Sequence, residues 1–307
     1  MTDEPKLSED YTPLLAQLAE APALSDLSLE EARARWDMMD FGEAEPLHEV
    51  RDLVIPGPAS PIAARLYLPS ADPTALIVFL HGGGWALGGL SSHDKTIRGL
   101  ALRSGAAFLA IDYRLAPETP FPGPLEDAVA ATAWAEANAG QLVGTRKPLL
   151  IAGDSAGGNL AAAVAIHARD HGGPELDGQV LIYPATDAGM QTQSYRTRGN
   201  GGMMSGKDMA WFWDQYVPDV SMRDDPRASV SRTKDLSNLP PALVVTAEFD
   251  PLRDEGQAYV KRLKDAGVTA ECLHFGDQPH GFLTFYQFAP SAGSAFEEIG
   301  RAIAQLA

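Results

Sequence analysis

From about residue 50 onward the chain alternates short, almost wholly apolar runs with longer segments of helical periodicity. That alternation is the strongest constraint on its architecture. A run apolar at every position suits a strand buried on both faces, and parallel neighbours need a crossover between them, usually a helix. The pattern predicts an α/β fold: a mostly parallel central sheet flanked by helices. Strands are expected at 75–80, 106–111, 148–152, 179–183, 242–247 and 269–275. Two earlier runs, 50–55 and 62–68, are read as an antiparallel pair at one edge, because Pro56, Gly57 and Pro58 offer a turn between them.

Helical patterns fill the gaps at 125–137, at the alanine-rich 156–168 and at 255–266, the last ending at Gly267 as a C-cap. In the final segment Phe296, Ile299, Ile303 and Leu306 recur at three- and four-residue steps, so one stripe can dock on the sheet while Glu297, Glu298 and Arg301 face water. Two stretches do not fit the alternation, and both are expected to form a helical cap: 1–47, with helical patterns at 11–19 and 29–39, and 188–220. In the second, Ser205-Gly206-Lys207-Asp208 reads as a capping box opening a helix that carries Trp211, Phe212 and Trp213. The core is then 48–187 and 221–307. No internal repeat or low-complexity tract is evident.

The chain has 307 residues, 45% of them hydrophobic, enough for a substantial core. A formal charge of -17 would repel phosphate backbones and anionic bilayers, which argues against nucleic acid and membranes as partners and reads otherwise as solvated surface. Cys272 is the only cysteine, so no intrachain disulfide can form, and its run predicts burial. Residues 1–11 lack a basic region followed by an apolar stretch, and no run is of membrane-spanning length. A soluble cytoplasmic protein is the expectation, and a homodimer is compatible with it.

The expected strand 148–152 runs into Gly153-Asp154-Ser155-Ala156-Gly157-Gly158, and a helix follows at once. A serine at the apex of such a turn projects its hydroxyl clear of the backbone, and glycines two residues either side let strand and helix pack closely. The helix N-terminus also aims partial positive charge at the site. Alone, such a turn could equally be structural or bind phosphate. A second element narrows the reading: His81-Gly82-Gly83-Gly84-Trp85 follows the strand at 75–80. Consecutive glycines are costly unless backbone amides must turn toward a ligand. Amides so placed can hold the oxyanion of an acyl-transfer intermediate, and Gly83, Gly84 and Ala156 are the expected donors.

A serine hydroxyl needs a base, and the base needs a carboxylate to fix its tautomer. Of seven histidines, His280 lies just past the strand ending at 275, on the carboxyl edge where open α/β sheets bind ligands. His274 is read as packed on its strand and His81 as support for the glycine loop. His48, His93, His167 and His171 are assigned surface or packing roles. Asp250 follows the strand at 242–247 and is the expected acid, with Glu248 and Asp254 as rivals. The order Ser155, Asp250, His280 is that of α/β-hydrolases.

These motifs, with Asp112-Tyr113-Arg114-Leu115-Ala116-Pro117-Glu118, Phe121-Pro122, Asp127, Asp250-Pro251-Leu252-Arg253-Asp254 and His280-Gly281-Phe282, resemble the hormone-sensitive-lipase-like bacterial carboxylesterases of the α/β-hydrolase fold, in the branch with aspartate before the nucleophile. Thr119 departs from the pattern, which often has histidine there. The resemblance implies a helical cap and hydrolysis of short- to medium-chain esters through an acyl-enzyme, with no metal and no cofactor. The implied partner is a small-molecule ester. Trp85, Asp154, Met203, Met204, Trp211 and Phe212 look like pocket or cap residues, for which packing is an equally good account. Two other functions stay open: a non-catalytic small-molecule receptor on the same scaffold, against which His280 speaks, and an amidase or peptidase using the same triad.

Overall fold

The computed structural model describes residues 4–39, 42–200 and 202–307. Residues 1–3, 40 and 41 of the first expected cap segment, and residue 201 of the second, lie outside the described residues. Two helices, α1 (Thr12–Glu20) and α2 (Leu29–Asp37), precede the sheet. Then follow β1 (Glu49–Ile55), β2 (Ile62–Leu68), β3 (Leu76–Leu80), α3 (Leu90–Ser104), β4 (Ala107–Asp112), α4 (Gly123–Val143), β5 (Leu149–Asp154), α5 (Ala156–His171) and β6 (Gly178–Ile182). The chain continues through α6 (Gln193–Arg198), α7 (Gly206–Tyr216), β7 (Ala242–Phe249), α8 (Arg253–Asp265), β8 (Ala270–Pro279) and α9 (Pro290–Leu306).

The eight strands form one sheet in the order β1-β2-β4-β3-β5-β6-β7-β8. β2 runs antiparallel to both β1 and β4, and every other pairing is parallel. This is the expected α/β sheet with its antiparallel edge. β3, β5 and β6 are buried at every position. The period of two divides their side chains between two apolar layers. Leu76, Val78 and Leu80 join the layer formed with α4 and α5, whereas Ile77 and Phe79 join the one formed with α3 and α9. In α9, Phe296, Ile299 and Ile303 are buried and Glu297, Glu298 and Arg301 exposed, as the stripe predicts; Leu306 is half-buried.

Some elements differ from the sequence reading. α3 and α6 were not foreseen. β7 reaches Phe249 and β8 reaches Pro279, with a register irregularity between Ala247 and Phe249. His280 therefore follows its strand directly instead of lying in a longer loop. α8 ends as expected, with Gly267 at φ +82 just past its last turn. Cys272 is only half-buried, its sulfur 3.6 Å from the Thr246 hydroxyl, because edge strand β8 has a neighbour on one side alone. No helix among the described residues is long and apolar enough to cross a membrane.

Candidate active site

Ser155 stands between β5 and α5 with φ 54 and ψ −116, a left-handed position that side chains rarely adopt. The turn is this tight because its glycines let three backbones meet. A Cβ on Gly157 would lie 1.9 Å from the Leu80 carbonyl oxygen, and one on Gly153 would lie 2.3 Å from that of Gly157. Only glycine admits that approach of strand and helix. The Ser155 N–H donates to the Ile182 carbonyl at 2.8 Å, locking the turn to β6.

The structure brings Ser155, His280 and Asp250 together. His280 Nε2 is 3.0 Å from Ser155 Oγ, and His280 Nδ1 is 2.8 Å from Asp250 Oδ2. Asp250 is fully buried, and its second oxygen accepts the Leu252 N–H at 2.7 Å. The rival carboxylates face elsewhere. Glu248 accepts from Arg198 and Arg253, and although burial pushes its carboxyl up, those guanidiniums hold it below the ordinary range. Asp254 accepts the Ser194 N–H and Arg253 Nε. His274 is bonded to the Thr246 hydroxyl and lies 3.4 Å from Glu248. Tyr183, at φ 35, packs its ring 4.7 Å from that of His280.

Gly83 and Gly84 take φ 109 and 59 and face the same cavity as Ser155 and His280, while Ala156 opens α5 beside them. His81 sits beneath this loop, its Nδ1 2.7 Å from the Gly82 carbonyl oxygen and its ring stacked 4.3 Å from Tyr113. Burial, with His93 beside it, pushes the His81 imidazole down to about 3, so the ring is neutral at physiological pH. Asp154 accepts the Gly82 N–H at 2.8 Å, and a Cβ on Gly82 would come within 2.4 Å of its other oxygen. Burial raises the Asp154 carboxyl, but His93 and the Gly82 N–H outweigh it and hold the group below its ordinary value.

The cavity over Ser155 has a volume of about 600 Å³ and is lined mainly by apolar side chains. Of the residues read as pocket or cap, Met203, Met204, Phe212 and Asp154 line it, whereas Trp85 and Trp211 do not. Trp85 is fully buried behind the loop, stacked 4.4 Å from Tyr216 and tilted against Trp213 at 4.5 Å, because its own φ of 59 turns the ring under α7. Trp211 is half-buried on α7 with its ring edge on Phe212. Sequence reasoning missed Leu14, Leu15, Leu18 and Trp36 from α1 and α2, and Thr284 and Phe285 past His280, all of which line the cavity. It also missed His93, which is buried against Asp154. The apolar faces of α1 and α2 were legible, whereas their direction was not. Among the described residues no group of three or more histidine, cysteine, aspartate or glutamate side chains could hold a metal ion.

The sheet order, the crossovers and the turn at the end of β5 define an α/β-hydrolase. A family model described as the alpha/beta hydrolase fold matches residues 77–284. The carboxylic ester hydrolase LipN of Mycobacterium tuberculosis is 44% identical over 277 residues, covering 87% of this chain and 74% of LipN. The carboxylesterase NlhH of the same organism is 40% identical over 250 residues, covering 80% and 77%. Among solved structures, the hyperthermophilic esterase from the archaeon Pyrobaculum calidifontis superposes with a TM-score of 0.90 at 39% identity, over 98% of this chain and 100% of that one. The chain belongs to the hormone-sensitive-lipase-like carboxylesterases of the α/β-hydrolase family and is a carboxylic ester hydrolase.

Proposed function

We propose that the ester is cleaved by Ser155 as nucleophile, with His280 as general base and acid, Asp250 as the group that orients it, and the amides of Gly83, Gly84 and Ala156 as oxyanion donors. The observation that carries this reading is the relay from Ser155 Oγ through His280 to buried Asp250, at 3.0 and 2.8 Å. In the first step Ser155 Oγ bonds to the carbonyl carbon while its proton passes to His280 Nε2. The imidazolium then protonates the departing alkoxide, leaving an acyl-enzyme. Water, deprotonated by the same nitrogen, attacks the acyl carbon and releases the acid. Asp250, out of solvent and held by the Leu252 N–H, keeps the Nδ1 proton where the imidazolium needs its partner.

Substrate size follows from the cavity. An apolar space of about 600 Å³ lined by Leu14, Leu15, Leu18 and Phe285 suits short- to medium-chain acyl groups. In this reading 1–47 and 188–220 form a helical cap over the core of 48–187 and 221–307. Two links between the segments support it: Asp208 on α7 accepts the Ser25 N–H, and Met203 faces the same space as α1. The substrate is a small-molecule ester, and a cytoplasmic location accords with the single cysteine.

Replacing Ser155 with alanine tests the assignment. Turnover of p-nitrophenyl butyrate is expected to fall by about 10⁴-fold or more with the unfolding midpoint near that of the wild type. A folded Ser155→Ala enzyme that retains esterase activity overturns it.

A further inference from the structure

Resting on the reading of Ser155 as nucleophile and the glycine loop as oxyanion hole, we propose that His93, with Asp154 and Ser92, is a positioning residue that clamps both ends of that loop. The loop leaves β3 at His81 and enters α3 after Gly89, and its two ends approach each other: a Cβ on Gly88 would lie 2.9 Å from the Gly82 carbonyl oxygen. Three glycines in a row have no conformational preference of their own that could hold amides at one position. Something outside the loop must hold them.

The hydrogen bonds trace a closed path around it. Asp154 Oδ1 accepts the N–H of Gly82 at one end of the loop, at 2.8 Å, and lies 3.4 Å from His93 Nε2. His93 Nδ1 is 3.0 Å from Ser92 Oγ. The Ser92 hydroxyl is 3.0 Å from the Gly89 carbonyl oxygen and 3.0 Å from the Gly89 N–H at the other end. Counting protons shows how the path closes. The single Ser92 hydroxyl hydrogen goes to His93 Nδ1, Ser92 Oγ accepts the Gly89 N–H, and the path needs only one N–H on the ring, at Nε2. His93 Nε2–H then faces Asp154. His93 and Asp154 are both buried, so the pair is little screened by water. Asp154 is the residue directly before Ser155, so the clamp registers the donors of the loop against the nucleophile itself. His93 holds Asp154 and Ser92 and acts on the reaction only through them.

The test separates loop positioning from general damage. His93→Leu removes both polar contacts, His93→Gln keeps a donor toward Asp154, and Ser92→Ala cuts only the link to Gly89. For His93→Leu, kcat on p-nitrophenyl butyrate is expected to fall about 100-fold, the scale of one oxyanion donor, with KM within threefold. Affinity for an alkyl trifluoromethyl ketone, whose adduct with Ser155 places an oxyanion at the loop, should fall in parallel, and affinity for the corresponding secondary alcohol should not. His93→Gln should recover at least tenfold of the loss. Should His93→Leu not fold, Ser92→Ala is expected to show the same split at five- to tenfold. Wild-type kcat in a folded His93→Leu enzyme, or in Ser92→Ala where His93→Leu does not fold, overturns the clamp alone, as do equal losses of ketone and alcohol binding. Activity that survives Ser155→Ala overturns the clamp together with the reading beneath it.

Discussion

Glu255 shows how one residue can shape the behaviour of the whole fold without touching the chemistry. It sits in the first turn of α8, 3% exposed, and its Oε1 accepts the N–H groups of Thr186 and Asp187 at 2.6 and 3.4 Å, fastening the loop after β6. Burial pushes its carboxyl well above the ordinary value, with Asp187 and Asp250 adding to the rise against the two N–H groups. The folded chain therefore keeps a proton that the unfolded chain gives up above about pH 4.5. Since the folded state binds more protons in that window, stability falls as pH rises from about 4.5 through the raised value, by up to about 1.4 kcal/mol for each pH unit. Glutamine keeps the accepting oxygen and removes the titration. Glu255→Gln is expected to unfold at least as high as the wild type at pH 9, with its advantage shrinking by several degrees as pH falls toward 5. Thermal melts across that range check this, and parallel melting curves for the two proteins would remove Glu255 as the source of the slope.

At the scale of elements, α7 is part of the machinery of the glycine loop as well as its roof. Phe212 lies so close to Gly84 that an added Cβ would meet its ring at 1.9 Å, and Trp85 is sandwiched against Trp213 and Tyr216. The left-handed backbone at Trp85 costs of order 1–3 kcal/mol and persists because that packing over-determines it. Trp85→Ala removes the packing. It should destabilise the protein by about 3–5 kcal/mol in chemical denaturation and lower kcat more than it raises KM. Wild-type kcat in that variant would show that the loop keeps its shape without α7. This contact also marks the limit of what the sequence discloses. β3, β5 and β6 were legible because their runs are almost wholly apolar, α5 because it is rich in alanine and α9 because its apolar positions repeat; Ser155, Asp250 and His280 were legible because each closely follows a strand. α3 escaped notice because its first turns, after Leu90, carry Ser91, Ser92, His93 and Asp94, and Ile97, Leu100 and Ala101 are spread among polar residues and glycine. With it went His93, whose partner Asp154 lies at the end of β5, far off in the sequence. Trp85 reads as a pocket residue from its position, and only the positive φ beside α7 turns it inward.

At the scale of the whole molecule, charge is the dominant property, with 41 acidic against 24 basic residues. Several arginines serve two carboxylates each: Arg65 binds Asp52 and Asp94, Arg103 binds Glu45 and Glu297, and Arg253 binds Glu248 and Asp254. Sharing spreads the basic groups over more acids, but it cannot balance the total, and the net charge of -17 leaves the folded surface repelling itself. Two effects of salt then compete. Screening weakens the surface ion pairs, each worth about 0–1 kcal/mol, and it also weakens the long-range repulsion among the surplus carboxylates. Pairs such as Arg146–Glu175 and Lys261–Asp265 are well exposed on both sides, so little is lost there. The repulsion should therefore dominate. The unfolding midpoint at pH 8 is expected to rise by several degrees as sodium chloride goes from about 20 to 500 mM, the Debye length shrinking from roughly 20 Å to 4–5 Å. A midpoint that falls over that range would mean that the shared arginine pairs, and not the surplus acid, set the electrostatic balance of the fold.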